Sequence, residues 1–179
     1  MTAHKTPFEV WKSEEQIKAR VKELAKRIQR DEAGHELQML GVLRGGFVFM
    51  ADLIRHLDLE IQFHFINLYY KDSTLHDDYI KEIREAIIYP TPVLEGKRVI
   101  VVDGVVDTGV IIDNIVNHIR EQGAQSVRIA TLIDKPISRR VNLPVDYVAF
   151  ETRENDYYFG YGLDFQDKYR NLPFLAKFK

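Results

Sequence analysis

The chain predicts a doubly wound, mostly parallel α/β sheet. Short apolar runs without alternation, such as 37–43, 98–102 and 127–133, suit strands buried on both faces. Stretches of helical periodicity separate several of them. Turn residues, Arg44-Gly45-Gly46 and Thr108-Gly109, stand where a run hands over to a helix. Strands alternating with helices in this way favour a parallel sheet with crossovers.

The elements follow in order. Ser13 and Gln16 have the spacing of a capping box. Ile17, Val21, Leu24, Ala25 and Ile28 continue at helical spacing, with Lys18, Lys22, Lys26, Arg27 and Arg30 on the other face. That basic face reads as solvated surface rather than a nucleic-acid patch. Residues 37–43 form a strand, and 47–57 a helix. Ile61, Phe63 and Phe65 alternate with Gln62 and His64, the period of a strand. The polar stretch 70–82 reads as a mobile loop, and 83–89 as a strand. A central strand over 98–102 leads to an acidic turn and a helix over 110–122. Strands at 127–133 and 145–150 complete the sheet. Residues 151–179 are aromatic-rich and form a small C-terminal cap, with 157–161 as a short strand.

A chain of 179 residues, 45% hydrophobic and 29% charged, suits one globular domain. Its 25 basic and 27 acidic residues give a net charge of −2, with no global pull toward nucleic acid or anionic membrane. There is no cysteine, which excludes thiolate metal sites and cysteine nucleophiles and fits a reducing cytoplasm. No apolar run approaches the roughly 20 residues of a membrane span. The N-terminus lacks the apolar core of a signal peptide, so the expected location is cytoplasmic.

The chemistry concentrates at 99–111. Val99-Ile100-Val101-Val102 is followed by Asp103 and Asp107, and Thr108-Gly109 opens the helix. Backbone N–H groups at a helix start favour phosphate, and in an open α/β sheet they face the crevice at the carboxyl ends of the strands. The two carboxylates beside them can hold hydroxyls, accept a proton or approach a metal ion. Arg44-Gly45-Gly46 is either an ordinary glycine turn or a phosphate loop. Lys135, taken alone, is a surface lysine. The aromatic block 156–164, taken alone, is packing.

Together these motifs resemble the 6-oxopurine phosphoribosyltransferases, in particular the bacterial hypoxanthine-guanine enzymes. The similarity runs from about Ile17 to Lys177. It implies the type I phosphoribosyltransferase fold, with 1–179 as a single domain and 151–179 as a purine-binding hood. By that resemblance, Asp107 is the catalytic base. Asp103, Asp107, Thr108, Gly109, Val110 and Ile111 bind the phosphoribosyl group. Arg44, Gly45, Gly46 and Arg170 bind pyrophosphate. Lys135 donates to the 6-oxo group of the purine, Tyr157 stacks on its ring, and the Tyr158 backbone bonds its edge. Asp164, with Asp103, lies near a Mg2+ ion.

Three departures from the family pattern lie on the phosphoribosyl side. The usual adjacent acidic pair is reduced to Asp103-Gly104. Val110-Ile111 stands where another hydroxyl residue is usual. In the stretch Leu68 to Thr74 no serine precedes the alignable tyrosine. Restoring Gly104→Asp with Ile111→Thr is therefore expected to tighten donor binding. The implied function is purine salvage: transfer of 5-phosphoribosyl from phosphoribosyl pyrophosphate to N9 of hypoxanthine or guanine, giving IMP or GMP. The alternative is a catalytically weakened purine or purine-nucleotide binding protein of the same fold. The expected partners are these small molecules, with no nucleic acid and no membrane, in a homodimer or homotetramer.

Overall fold

A computed structural model describes residues 8–70, 83–89 and 92–179. Its main sheet has six strands in the order β4-β3-β2-β5-β6-β7. These are β2 (Leu37–Val42), β3 (Ile61–Tyr70), β4 (Ile83–Tyr89), β5 (Arg98–Val106), β6 (Ser126–Asp134) and β7 (Tyr147–Glu151). All neighbours pair in parallel except β4, which runs antiparallel along β3 at the edge. Strand β3 absorbs Tyr70, and the remainder of the expected loop, 71–82, lies outside the described residues.

Helices cover both faces. Helix α1 (Glu14–Asp31) starts at the expected capping box: the Ser13 hydroxyl accepts from Gln16 N, and Ser13 N donates to Gln16 Oε1 at 2.9 Å. Its apolar stripe, Ile17 to Ile28, packs with Phe49, Met50 and Leu53 of α2 (Phe47–Ile54) against Met39, Ile100, Val102 and Leu132. Helix α3 (Val110–Glu121) covers the opposite face, setting Ile112, Ile115, Val116 and Ile119 on Leu40, Val99, Val101 and Ile129. Each of these side chains, fully buried, contributes about 1.5–3 kcal/mol. The doubly wound layout therefore follows from two apolar faces on strands with hardly a polar residue. Helix α2 is shorter than the expected 47–57 and ends in a turn at Arg55.

Two findings differ from the sequence reading. Strand β5 does not stop at Val102. It continues through Asp103 to Val106, because Asp103, Val105 and Val106 stay in register with Thr131, Ile133 and Asp134 of β6. Asp103 is therefore a strand residue, not part of a turn. Second, the cap is a three-stranded antiparallel sheet that uses both ends of the chain. Strand β1 (Phe8–Lys12) pairs with β9 (Leu175–Phe178), which pairs with β8 (Tyr158–Phe159). Phe8, Phe159 and Phe178 pack edge to face or tilted across it. The Tyr161 hydroxyl donates to the Asp52 carboxylate at 2.6 Å and fixes this cap to α2.

Candidate active site

Strands β2, β5 and β6 end side by side, and the residues that follow them converge. At the end of β5, Asp107 is exposed and its Oδ1 accepts from Thr108 N at 2.6 Å. Gly109 follows with φ +80, a conformation that favours glycine, and no side chain caps the helix it opens. The first intrahelical bond runs from Asp113 N to Gly109 O at 2.8 Å. The N–H groups of the first turn, Val110 and Ile111 among them, therefore have no helical acceptor and suit an anion.

Arg139, which sequence reasoning did not single out, clamps this turn. Its Nε donates to Asp107 O at 3.1 Å and its Nη1 to Leu143 O at 2.6 Å, while Nη2 pairs with the Asp134 carboxylate. Arg140 N donates to Thr108 O at 2.9 Å. Asp134 and Leu143 lie within five residues of Arg139, but Asp107 O comes from the end of β5, and that contact leaves no local pattern in the sequence.

The second loop meets the first through main chain. The Leu43–Arg44 peptide is cis, and Gly46 N donates to Val42 O at 3.1 Å. A Cβ on Gly46 would lie 3.0 Å from Val102 O and 3.1 Å from Asp103 Cα. A Cβ on Gly104 would lie 2.6 Å from Leu163 Cδ2 and 2.8 Å from Gly45 O. A Cβ on Gly162 would be 2.8 Å from the same Gly45 oxygen. The 44–46 turn, the end of β5 and the cap thus touch backbone to backbone. A side chain at Gly104 therefore requires the Gly45 carbonyl to move, a steric cost set against the tighter donor binding expected of Gly104→Asp with Ile111→Thr.

The remaining site residues lie on the β6 end and the cap. Lys135 N donates to Val106 O at 2.9 Å, so Lys135 starts beside Asp107. Its Nζ is directed at the cap, donating to Asp156 O at 3.0 Å and to Asn155 Oδ1 at 3.4 Å. Next along the chain, Tyr157 is 57% exposed, with its ring edge to face on Phe165 at 5.7 Å. Tyr158 is buried and register-paired with Lys177; its hydroxyl shares a hydrogen bond with Thr152 Oγ1 at 3.1 Å. Arg170 pairs with Asp164 at 2.6 Å and donates to Gly162 O at 2.8 Å. Arg44 reaches the cap by an ion pair with Asp167.

Burial pushes the Asp103 carboxyl up to about 7, and the charge of Asp107 adds to this; hydrogen bonds from the Gly104 and Val105 N–H groups act in the opposite direction. Among the described residues no group of three His, Cys, Asp or Glu side chains is placed to hold a metal ion. Asp164 accepts from Arg170 and, through Oδ2, from Asp167 N at 2.8 Å, which leaves it part of its capacity. Such a donor set fits a hard cation carried largely by substrate oxygens, not a cage made by protein.

The phosphoribosyl transferase domain family matches residues 12–168. A hypoxanthine-guanine phosphoribosyltransferase of Bacillus subtilis is 33% identical over 93% of this chain and 91% of its own length. The chain belongs to the hypoxanthine-guanine phosphoribosyltransferase family. A crystal structure of such an enzyme from Bacillus anthracis superposes with a TM-score of 0.84 at 36% identity, covering 96% of this chain and 98% of that one. A hypoxanthine phosphoribosyl transferase of Trypanosoma cruzi gives 0.85 at 28% identity, covering 99% and 95%. Membership in the phosphoribosyltransferase family accounts for the α/β core and its small antiparallel sheet.

Proposed function

We propose that the protein transfers the 5-phosphoribosyl group from phosphoribosyl pyrophosphate to N9 of hypoxanthine or guanine. One observation carries this reading. Asp107 and Lys135 start from adjacent strand ends tied by the Lys135 N to Val106 O bond, and Lys135 Nζ reaches the segment just before Tyr157. In this reading the proton acceptor, the uncapped helix start, the cation and the exposed aromatic ring serve one substrate site at these strand ends.

In this reading the first-turn N–H groups of α3, from Gly109 to Ile111, and the Thr108 hydroxyl hold the 5′-phosphate. Asp103 accepts from a ribose hydroxyl. Arg44, the Gly45-Gly46 backbone and Arg170 hold the pyrophosphate group. Tyr157 stacks on the purine, the Tyr158 backbone meets its edge, and Lys135 donates to the 6-oxo oxygen. A 6-amino purine presents donors to that ammonium and leaves its remaining N–H without an acceptor, so adenine is rejected. The N9 lone pair forms the bond to C1′ as the bond from C1′ to the pyrophosphate oxygen breaks, and Asp107 takes the N7 proton. The reaction asks chiefly for positioning and for groups that meet developing charge. Asp164, with Asp103, would hold a magnesium ion, which supplies charge neutralisation of the pyrophosphate.

We read the protein as cytoplasmic, without nucleic-acid partners, and as a homodimer or homotetramer. No helix among the described residues is long and apolar enough to cross a membrane. Phe47 and Phe63 are large exposed apolar side chains of the kind a subunit contact covers.

The test is chromatographic detection of nucleotide from phosphoribosyl pyrophosphate, magnesium and each of hypoxanthine, guanine, xanthine and adenine. Nucleotide from the 6-oxo bases and none from adenine is the expected result. No nucleotide from any base, with purine nucleotide still bound, would favour the weakened binding protein instead.

A further inference from the structure

The two arginines assigned to pyrophosphate are already neutralised by the cap. Arg170 Nη2 pairs with Asp164 Oδ1 at 2.6 Å, and the same Nη2 lies 3.4 Å from Asp167 Oδ1. Arg44 Nη2 pairs with that same Asp167 oxygen. One carboxylate oxygen therefore bridges two guanidinium groups contributed by different loops. Two acids against two arginines leave no net positive charge at the place where an anion must land.

The geometry of Asp167 is built, not incidental. Phe165 and Lys168 exchange both backbone hydrogen bonds at 3.1 Å around Gln166-Asp167, whose φ values are +52 and +60. That is a two-residue turn with both central residues left-handed, a conformation Asp adopts more readily than most residues. Asp167 N is further fixed by Asp164 Oδ2 at 2.8 Å. Yet the side chain is 61% exposed and Arg44 is 62% exposed. The backbone is held and the carboxylate is free to swing away, and exposed ion pairs of this kind are weak.

We propose that Asp167 is an internal competitor at the pyrophosphate site: its carboxylate occupies Arg44 and Arg170 until a pyrophosphate group displaces it. This rests on the phosphoribosyl-transfer reading above. Entry of the donor exchanges one oxygen anion for a more highly charged one on the same two cations. After transfer, the returning carboxylate competes with product pyrophosphate and promotes its release. Asp167 thus sets how tightly both pyrophosphate species are held, and it leaves the purine and the 5′-phosphate untouched.

The experiment is calorimetric titration of the full-length protein with inorganic pyrophosphate and magnesium, in wild type, Asp167→Asn, Arg44→Ala and the double variant. Asn tolerates the left-handed turn and removes the charge. Asp167→Asn should bind pyrophosphate about twofold to fivefold more tightly, the scale of one exposed ion pair. Binding of IMP should stay unchanged. In the Arg44→Ala background the same substitution should have much less effect, since the main cation has gone. Unchanged or weaker pyrophosphate binding in Asp167→Asn, with wild type binding normally, overturns the competitor role alone. A wild-type protein that binds neither pyrophosphate nor phosphoribosyl pyrophosphate overturns the transfer reading as well.

Discussion

At the end of β5 and the 44–46 turn, main chain packs closely on main chain, with the Arg139 side chain clamping the α3 start; around Lys135 and Tyr157 the contacts are made by side chains. On the first side, Gly104 and Gly162 close so tightly on the Gly45 carbonyl that a Cβ on either would lie 2.8 Å from its oxygen. On the second, a single ammonium bridges to the cap through Asp156 O, and a single exposed ring offers a platform. A phosphate site made of N–H groups depends little on which side chains flank it. A base site that reads one exocyclic atom depends on one residue. The departures from the family pattern, Gly104 and Val110-Ile111, fall on the tolerant side.

The largest expected effect is at the residue between the two halves. Asp107→Asn keeps an acceptor for Thr108 N but removes the base, and should lower kcat about a hundredfold to ten-thousandfold while IMP binding is kept. Steady-state kinetics with a parallel nucleotide titration check this; equal activity would remove Asp107 from the mechanism. Next comes the base side. Lys135→Met should weaken binding of hypoxanthine by about 1.5–3 kcal/mol, the value of a hydrogen bond to a charged group, and leave the KM for phosphoribosyl pyrophosphate within about twofold. A change shared equally by both substrates would show that the halves are not separable.

On the donor side, Gly104→Asp should raise the KM for phosphoribosyl pyrophosphate and cost about 1–3 kcal/mol of stability, because its Cβ meets the Gly45 carbonyl. Denaturant unfolding reads the second figure. A stable variant with tighter donor binding would mean that the Gly45 turn yields easily, and the contrast between the halves would fail.

A further effect concerns pH. Burial raises the Asp103 carboxyl from its ordinary 3.8 to about 7. Between those values the folded protein keeps a proton that the unfolded chain has lost, so stability falls as pH rises through this window and levels off above about 7. Asp103→Asn should flatten that slope. Since the ionised form is the better acceptor for a ribose hydroxyl, the KM for phosphoribosyl pyrophosphate should fall as pH rises through about 7. A pH-independent KM would take Asp103 away from the ribose.

Much of the frame is legible in the sequence because it is local. The Ser13–Gln16 box, the stripe on α1 and the apolar runs of β2, β5 and β6 each carry their signal within a few residues. Strands β1 and β9 are not legible, since they are short and pair across almost the whole chain, Val10 opposite Ala176. The extension of β5 past Asp103 is hidden by Gly104, which reads as a turn but marks the close approach of another backbone. The motif residues of the candidate site lie in recognisable blocks. The roles of Arg139 and Asp167 are not legible, because Asp107 O for one and Arg44 for the other meet them only after folding.

The most direct measurement is titration of the protein with phosphoribosyl pyrophosphate and magnesium in the absence of a purine. Saturable one-site binding, competed by inorganic pyrophosphate and by IMP, is the predicted result for a donor site held together by main chain. No binding at millimolar donor, in a protein that still binds hypoxanthine, would contradict it.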